Sequence, residues 1–189
     1  ERYEADLQPY AVELASTWEE TARPTLEMLR GIAEGLELDW DPFFRYTLAS
    51  YLENSIQRPA YGEGCTVWAA SRSITREGLP ILAKNRDYRP EHGSLSLLAR
   101  AQPARGYRYL YATSAGSPAV FSSGMNEVGL AVADNYVASR CVSSGLARYS
   151  AMMDVLEHHS HVSSALDYLR QVPHLGDGTL TLIDQAGDM

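Results

Sequence analysis

The pattern of apolar and polar positions divides the chain near residue 64 into a helical first part and a strand-rich second part. In the first part, apolar residues recur every three or four positions after Pro24 and Pro42, and both prolines suit the first turn of a helix. Phe44 and Leu48 fall on one face of the second of these helices. A linker is predicted at 55–64, where proline and glycine break any regular element.

Beyond residue 64, short strand-like runs are separated by glycine turns. The predicted strands are 66–70, 79–84, 95–101, 107–113, 119–122, 130–135 and 180–184, and the predicted helices are 150–159 and 163–171. The first two strands form a predicted hairpin, and the overall order favours an antiparallel sheet with helices on its outer faces. The last strand resembles the first arm of another hairpin, so we expect these 189 residues to be the N-terminal part of a longer protein.

Charge sharpens the division at residue 64. Residues 1–64 carry thirteen acidic residues against five arginines, whereas 65–189 carry eleven of each sign, so the net charge of −8 lies in the first part. A detachable pro-segment before a folded body would show this contrast. The acidic balance argues against nucleic acid and anionic membranes as partners. Two cysteines and no visible signal sequence make the cytoplasm the expected compartment.

Cys65 lies at this boundary, directly after Gly64. A free cysteine is most often a small apolar core residue, and that alternative stays open. The glycine, however, allows backbone geometry that a β-carbon forbids. A thiol beside a strained peptide bond can attack the preceding carbonyl, and hydrolysis of the thioester would leave Cys65 with a free α-amino group. Such an amine has a pKa of about 7.7–8.0 in peptides and can act as the base for its own thiol.

A second group of polar residues ends the next strand. The predicted hairpin places it opposite the start of the first strand, so we expect Asp87 to reach the amine or thiol of Cys65. Lys84 or Arg86 would bind substrate charge or pair with Asp87, although a solvated polar turn is an alternative. Asn135 ends a later strand, where its amide is suited to donate to an oxyanion, or where it is a plain loop residue.

Three motifs in this order resemble the acyl-coenzyme A:6-aminopenicillanic acid acyltransferase family, which is the C45 peptidase family of cysteine N-terminal nucleophile hydrolases. They are Gly64-Cys65-Thr66, the Asn85-Arg86-Asp87 strand end, and the 124–130 segment followed by Asn135. Segments 29–35 and 165–170 also look like parts of this family. The more distant choloylglycine hydrolase family shows the same pattern.

The resemblance implies an α+β fold, a four-layer αββα sandwich preceded by a helical pro-segment. Residues 1–64 would be the pro-segment, which becomes a small subunit, and 65–189 the N-terminal part of the catalytic domain. It implies self-cleavage between Gly64 and Cys65, with Cys65 as nucleophile, Asp87 as partner of its amine and Asn135 as oxyanion donor. Lys84 stands where some relatives have arginine. The resemblance also implies a C-terminal part of the fold, with further site residues, which we expect to lie beyond this sequence.

The function that follows is cleavage or transfer of an acyl group from a small N-acylated substrate through a Cys65 thioester. No cofactor or metal is expected, and an acyl-coenzyme A donor is one option. Trp68 and Tyr136 would hold the acyl chain, and the pro-segment would remain bound as a subunit. A papain-type cysteine hydrolase and a non-catalytic binding subunit with the same fold are the alternatives. A zinc site at His158, His159 and His161 is disfavoured by the expected helix break at Ser160.

Overall fold

The structure, a computed structural model, describes residues 2–56, 64–87, 90–117, 120–137, 143–176 and 178–189. Most of the predicted linker and Cys141 lie outside the described residues. Across the described ranges the chain is α+β, with three helices before residue 64 and two antiparallel sheets plus two α-helices after it. In the same ranges, no helix is both long enough and apolar enough to cross a membrane.

Three helices form the first part of the chain, as the periodicity predicts. Pro24 lies in the first turn of the second helix, where its missing N–H is no loss, and Leu29 and Ala33 are buried on its inner face. The bounds are α1 (Arg2–Thr21), α2 (Arg23–Gly35) and α3 (Trp40–Ile56).

Trp18 of α1 joins these helices to the rest of the chain. Its side chain is fully buried, and its indole N–H donates to the carbonyl oxygen of Gly145 at 2.9 Å. Phe44 of α3 meets Trp18 edge-on, and the same apolar cluster includes Leu146 and Leu175 from the second part. The helices therefore share an apolar cluster with the second part of the chain, beside a separate core between α4 and the second sheet.

The strand pair after the boundary is the predicted hairpin. Its strands, β1 (Gly64–Ala70) and β2 (Ile81–Asp87), pair antiparallel in one continuous register that sets Gly64 opposite Asp87. The second strand begins two residues later than predicted, because Leu79 and Pro80 belong to the connection and Pro80 has no N–H for a strand ladder.

Five strands form the second sheet, an antiparallel meander in which each strand pairs with the next. The connection between its last two strands contains both remaining α-helices, and a short 3-10 helix (Pro90–Leu95) precedes its first strand. The bounds are β3 (Ser96–Ala101), β4 (Tyr109–Ser114), β5 (Ser123–Asn126), β6 (Ala131–Asn135), α4 (Arg148–His158), α5 (Val162–Gln171) and β7 (Thr179–Ile183).

One strand differs from the prediction. The sequence pattern placed it at 119–122 with Gly124 in the following turn, whereas β5 begins at Ser123 and includes Gly124. A β-carbon on Gly124 would lie 2.5 Å from Cδ1 of Leu156 in α4. This glycine therefore serves close packing of helix on sheet, and Gly129, with φ 89°, serves the turn.

The hairpin and α4 cover opposite faces of the second sheet. Met152 and Leu156 of α4 are fully buried against the face that carries Val132. Alternation along β6 directs Ala131 and Ala133 to the other face. There, β1 and β2 approach β6 and β7 with Cα atoms within 8 Å, and the two small alanines allow that approach.

Asn126 fixes the turn after β5 to the end of α4. Its side chain is buried, and Nδ2 donates to the carbonyl oxygens of Leu156 at 3.0 Å and His159 at 2.8 Å. Its Oδ1 accepts from the backbone N–H of Leu130 at 2.9 Å. One amide thus satisfies backbone groups of both the helix end and the turn.

We predict that Asn126→Ala lowers the free energy of unfolding by about 2–4 kcal/mol, because three buried backbone groups lose their partner. Urea denaturation followed by circular dichroism measures the loss. Asn85→Ala, at an exposed position of β2, is the control and should change stability by less than about 0.5 kcal/mol. Equal effects of the two substitutions would contradict the assigned role of Asn126.

Candidate active site

Cys65 is the second residue of β1 and faces the second sheet. The thiol is free and half-buried. Cys65 lies directly opposite Arg86, and alternation gives the two side chains the same face as Lys84. Because Arg86 contacts Ser114 of β4 and Lys84 contacts Asp134 of β6, this face is the inner side of the hairpin.

Asp87 lies at the same end of the hairpin on the opposite, outer face of β2. Its partner across the strands is Gly64, so Asp87 lies opposite the Gly64 end of the Gly64–Cys65 peptide unit. Directly paired Cα atoms are about 4.5–5.5 Å apart, so the backbone of Asp87 lies close to this peptide unit, and the pairing of its carboxylate with the Cys65 amine stays a prediction. From the sequence, Asp87 was expected to reach either the amine or the thiol of Cys65. Because its side chain lies on the face opposite the thiol, the register favours the amine as its partner.

Lys84 has a different partner from those expected. Its side chain is only 6% exposed, and its ammonium donates to Oδ1 of Asp134 at 2.9 Å and to the backbone carbonyl of the same residue. The sequence suggested substrate charge or Asp87 as its partner. The structure instead places Lys84 beneath the surface in an ion pair with Asp134, because the inner face of β2 lies against β6.

Asp134 also binds a second cation. Its Oδ2 accepts from Nε of Arg148, the first residue of α4, at 3.1 Å, and both side chains are nearly buried. One carboxylate therefore connects β2, β6 and α4. Neither Asp134 nor Arg148 was predicted as a site residue from the sequence. The available signal was a carboxylate at the end of the otherwise apolar run 130–133, where an ionised group needs a buried partner.

An aromatic surface lies beside Arg86. The guanidinium lies 4.3 Å from the ring centroid of Phe121 and donates to Oγ of Ser114 at 3.1 Å. Phe121 in turn contacts Tyr149, with ring centroids 4.6 Å apart. Burial raises the pKa of Tyr149 to about 12, even though the adjacent Arg148 opposes the shift, so this phenol stays protonated at neutral pH. Tyr149 is therefore suited to donate a hydrogen bond and unsuited to act as a base.

Asn135 ends β6 opposite Thr179 of β7. It shares its face of the strand with Ala133, which is the face toward the hairpin. Its Oδ1 is buried and accepts no hydrogen bond from the described residues. Asn135 itself is partly buried, and this unpaired oxygen could accept from a ligand donor, whereas an oxyanion would require the Nδ2 group, so the role of oxyanion donor stays a prediction.

The two aromatic residues expected to hold an acyl chain lie in different places. Trp68 comes three positions after Cys65, so its ring projects from the outer face of β1 and is 52% exposed. This face is opposite that of the Cys65 thiol, and the role of Trp68 in acyl binding stays a prediction. Tyr136 directly follows β6 and is partly buried next to Asn135, so its role in acyl binding stays a prediction.

The histidines near the end of α4 do not share a helix. Helix α4 ends at His158 and α5 begins at Val162, so the spacing of His158 and His161 gives no common helical face. Within the part of the chain that the structure describes, no group of three or more histidine, cysteine or acidic side chains is arranged to hold a metal ion.

Comparison with known families agrees with the resemblance seen in the motifs. The model of the family described as acyl-coenzyme A:6-aminopenicillanic acid acyl-transferase matches residues 74–189. This range covers more than half of the chain and includes Asp87, Asp134 and Asn135, whereas Cys65 precedes it. A search of curated proteins gave no match. The chain therefore belongs to the acyl-coenzyme A:6-aminopenicillanic acid acyl-transferase family.

Proposed function

We propose that this protein is a self-processing cysteine enzyme that cleaves or transfers the acyl group of small N-acylated substrates through a thioester on Cys65. Membership of the family supports acyl transfer or hydrolysis in general terms. The finer proposal depends on the register of β1 and β2, which turns Cys65 toward the second sheet and sets Asp87 beside the Gly64–Cys65 bond.

Processing comes first in this mechanism. The thiol of Cys65 attacks the carbonyl carbon of Gly64, the Gly64–Cys65 amide bond breaks, and the departing nitrogen takes up a proton. Water then hydrolyses the resulting thioester, which gives a carboxylate on Gly64 and restores the thiol. Cys65 now carries an α-amino group, and Asp87 is suited to hold its ammonium form or to orient the neutral amine.

Turnover uses the new amine as the base. It accepts the thiol proton as sulfur attacks the acyl carbonyl of the substrate, and the amide of Asn135 donates to the oxyanion that forms. When this tetrahedral intermediate collapses, the C–N bond of the substrate breaks and the acyl group stays on sulfur. The leaving amine takes the proton that the α-amino group of Cys65 had accepted. Water at the thioester gives hydrolysis, and a second amine gives transfer.

A papain-type mechanism has less support. It needs an imidazole beside the thiol and usually a cysteine at the start of a helix. Cys65 lies in a strand, the ring of His159 contacts that of Tyr168, and Nε2 of His174 donates to the carbonyl oxygen of Leu169. These contacts place two of the histidines against α5, on the side of the second sheet away from the hairpin.

The proposed fold is the four-layer αββα sandwich, in which the sheet formed by β1 and β2 contains further strands. Leu110 and Met125 project from the face of the five-stranded sheet that the hairpin covers mainly near β6 and β7. Together with Leu98 they are 46–76% exposed. An apolar sheet face of this kind is normally covered by a facing sheet, which supports further strands beside the hairpin.

We predict that the mature protein is cut between Gly64 and Cys65, which gives pieces of 64 and 125 residues from this sequence. Intact-mass measurement tests this directly, and Cys65→Ala should remain one chain because the nucleophile is absent. Quenching the enzyme during turnover of an N-acyl substrate should add the acyl mass to the piece that begins at Cys65. An uncut wild-type chain that never carries an acyl group would favour the non-catalytic binding subunit.

Asp87→Asn should lower the rate of turnover about a hundredfold or more, since it keeps the side-chain shape but removes the charge beside the amine. The rate of amine release from an N-acyl substrate is the measurement. Asp167→Asn, which changes an exposed carboxylate on α5, is the matched control and should leave the rate unchanged. Activity of Asp87→Asn within a few-fold of wild type would remove Asp87 from the mechanism.

We also predict that the helical piece stays bound after cleavage through Trp18. Trp18→Ala removes a fully buried indole and its hydrogen bond to Gly145, a loss of about 3–5 kcal/mol, and should release the piece on dilution. Size-exclusion chromatography of the cleaved protein measures release. Tyr46→Ala, at a side chain that is 76% exposed, is the control and should leave the complex intact. Co-elution of both pieces in the dilute Trp18→Ala sample would show that the contact is dispensable.

A further inference from the structure

We infer that Asp134 is a positioning residue that sets Asn135 relative to Cys65, acting through Lys84. The inference rests on the proposed function, in which Cys65 is the nucleophile and Asn135 the oxyanion donor. Asp134 contacts neither reacting atom. It lies directly before Asn135 and binds the only lysine of the sequence.

The need for such a residue follows from the topology. Cys65 belongs to the two-stranded sheet and Asn135 to the five-stranded sheet, so no strand ladder joins them. Between two apolar sheet faces, packing alone is non-directional and tolerates small shifts. Displacing a catalytic group by about 1 Å can lower a rate by about a hundredfold. A directional contact between the sheets is therefore required close to both residues.

The contacts of Lys84 meet this requirement. Lys84 shares the inner face of the hairpin with Cys65 and lies two positions before Arg86, the cross-strand partner of Cys65. Its ammonium donates both to the carboxylate of Asp134 and to the Asp134 backbone carbonyl. That carbonyl is part of the peptide unit that joins Asp134 to Asn135. The hairpin that carries Cys65 therefore binds β6, which carries Asn135, at the residue directly before Asn135.

The second cation fixes the carboxylate itself. Arg148 donates to Oδ2 of Asp134 while Lys84 donates to Oδ1, so both oxygens are held and the carboxylate cannot rotate freely. All three side chains are nearly buried. A buried ion pair of this kind adds little net stability compared with apolar residues, but breaking it leaves a buried charge without its partner. Its effect is to favour one arrangement of the two sheets.

Two reactions of the same thiol separate positioning from general damage. Acetylation of Cys65 by p-nitrophenyl acetate passes through an oxyanion, whereas alkylation by iodoacetamide is a direct displacement that forms none. The ratio of the two second-order rate constants reports stabilisation of the oxyanion. Both are measured on the purified full chain, and peptide mass assigns modification to Cys65 because Cys141 also carries a thiol.

We expect Asp134→Asn to lower the acetylation rate about tenfold or more and to leave alkylation within about twofold. Lys84→Met should act in the same direction, and it leaves Asp134 paired with Arg148 if Asp134→Asn fails to fold. Lys84→Arg keeps the ion pair and should restore acetylation to within about threefold of wild type. Asp167→Asn, in an exposed ion pair, is the control and should change neither rate.

Three results would overturn the inference. The first is a ratio of acetylation rate to alkylation rate that is the same in Asp134→Asn and Lys84→Met as in the wild type. The second is an equal fall of both rates, which would indicate damage to the thiol environment as a whole. The third is a wild-type ratio no higher than that of free cysteine, which would also remove the proposed function, whereas the first two leave it standing.

Discussion

The carboxylate of Asp134 holds three elements in one arrangement, and the rest of the candidate site depends on it. It binds the hairpin through Lys84 and α4 through Arg148, and its own backbone continues into Asn135. Apolar burial explains why these elements come together, but it does not specify how they align. A buried charge that accepts from two cations does specify alignment, since any shift leaves a charge unpaired in the core.

The fold shows where local pattern is sufficient. Helical spacing, a proline in the first turn and alternating strands identified most elements, because each of these signals acts within a few residues. The strand at Ser123 was missed for a physical reason. Gly124 and Gly129 look alike in sequence, yet one makes room for Leu156 and the other adopts a positive φ. Only the packed structure separates a glycine needed for space from a glycine needed for conformation.

In the candidate site too, the features set by local sequence could be predicted, whereas those set by contacts between distant residues could not. A hairpin is local, so its register could be anticipated, and with it the position of Asp87 next to the Gly64–Cys65 bond. The ion pair of Lys84 spans fifty positions along the chain, and nothing in the sequence indicates which buried carboxylate it meets. The outer position of Trp68 was accessible from sequence, because a strand alternates every residue and an offset of three reverses the face.

The burial of Lys84 also bears on how the chain presents amines to its surroundings. Fifteen of the sixteen basic residues in this sequence are arginines, and the one lysine has its ammonium held by Asp134. The described surface therefore carries its positive charge almost without primary amines. Within the piece that begins at Cys65, the liberated amine would therefore face little competition, so an amine-selective reagent followed by mass measurement of that piece would report the state of the new N-terminus.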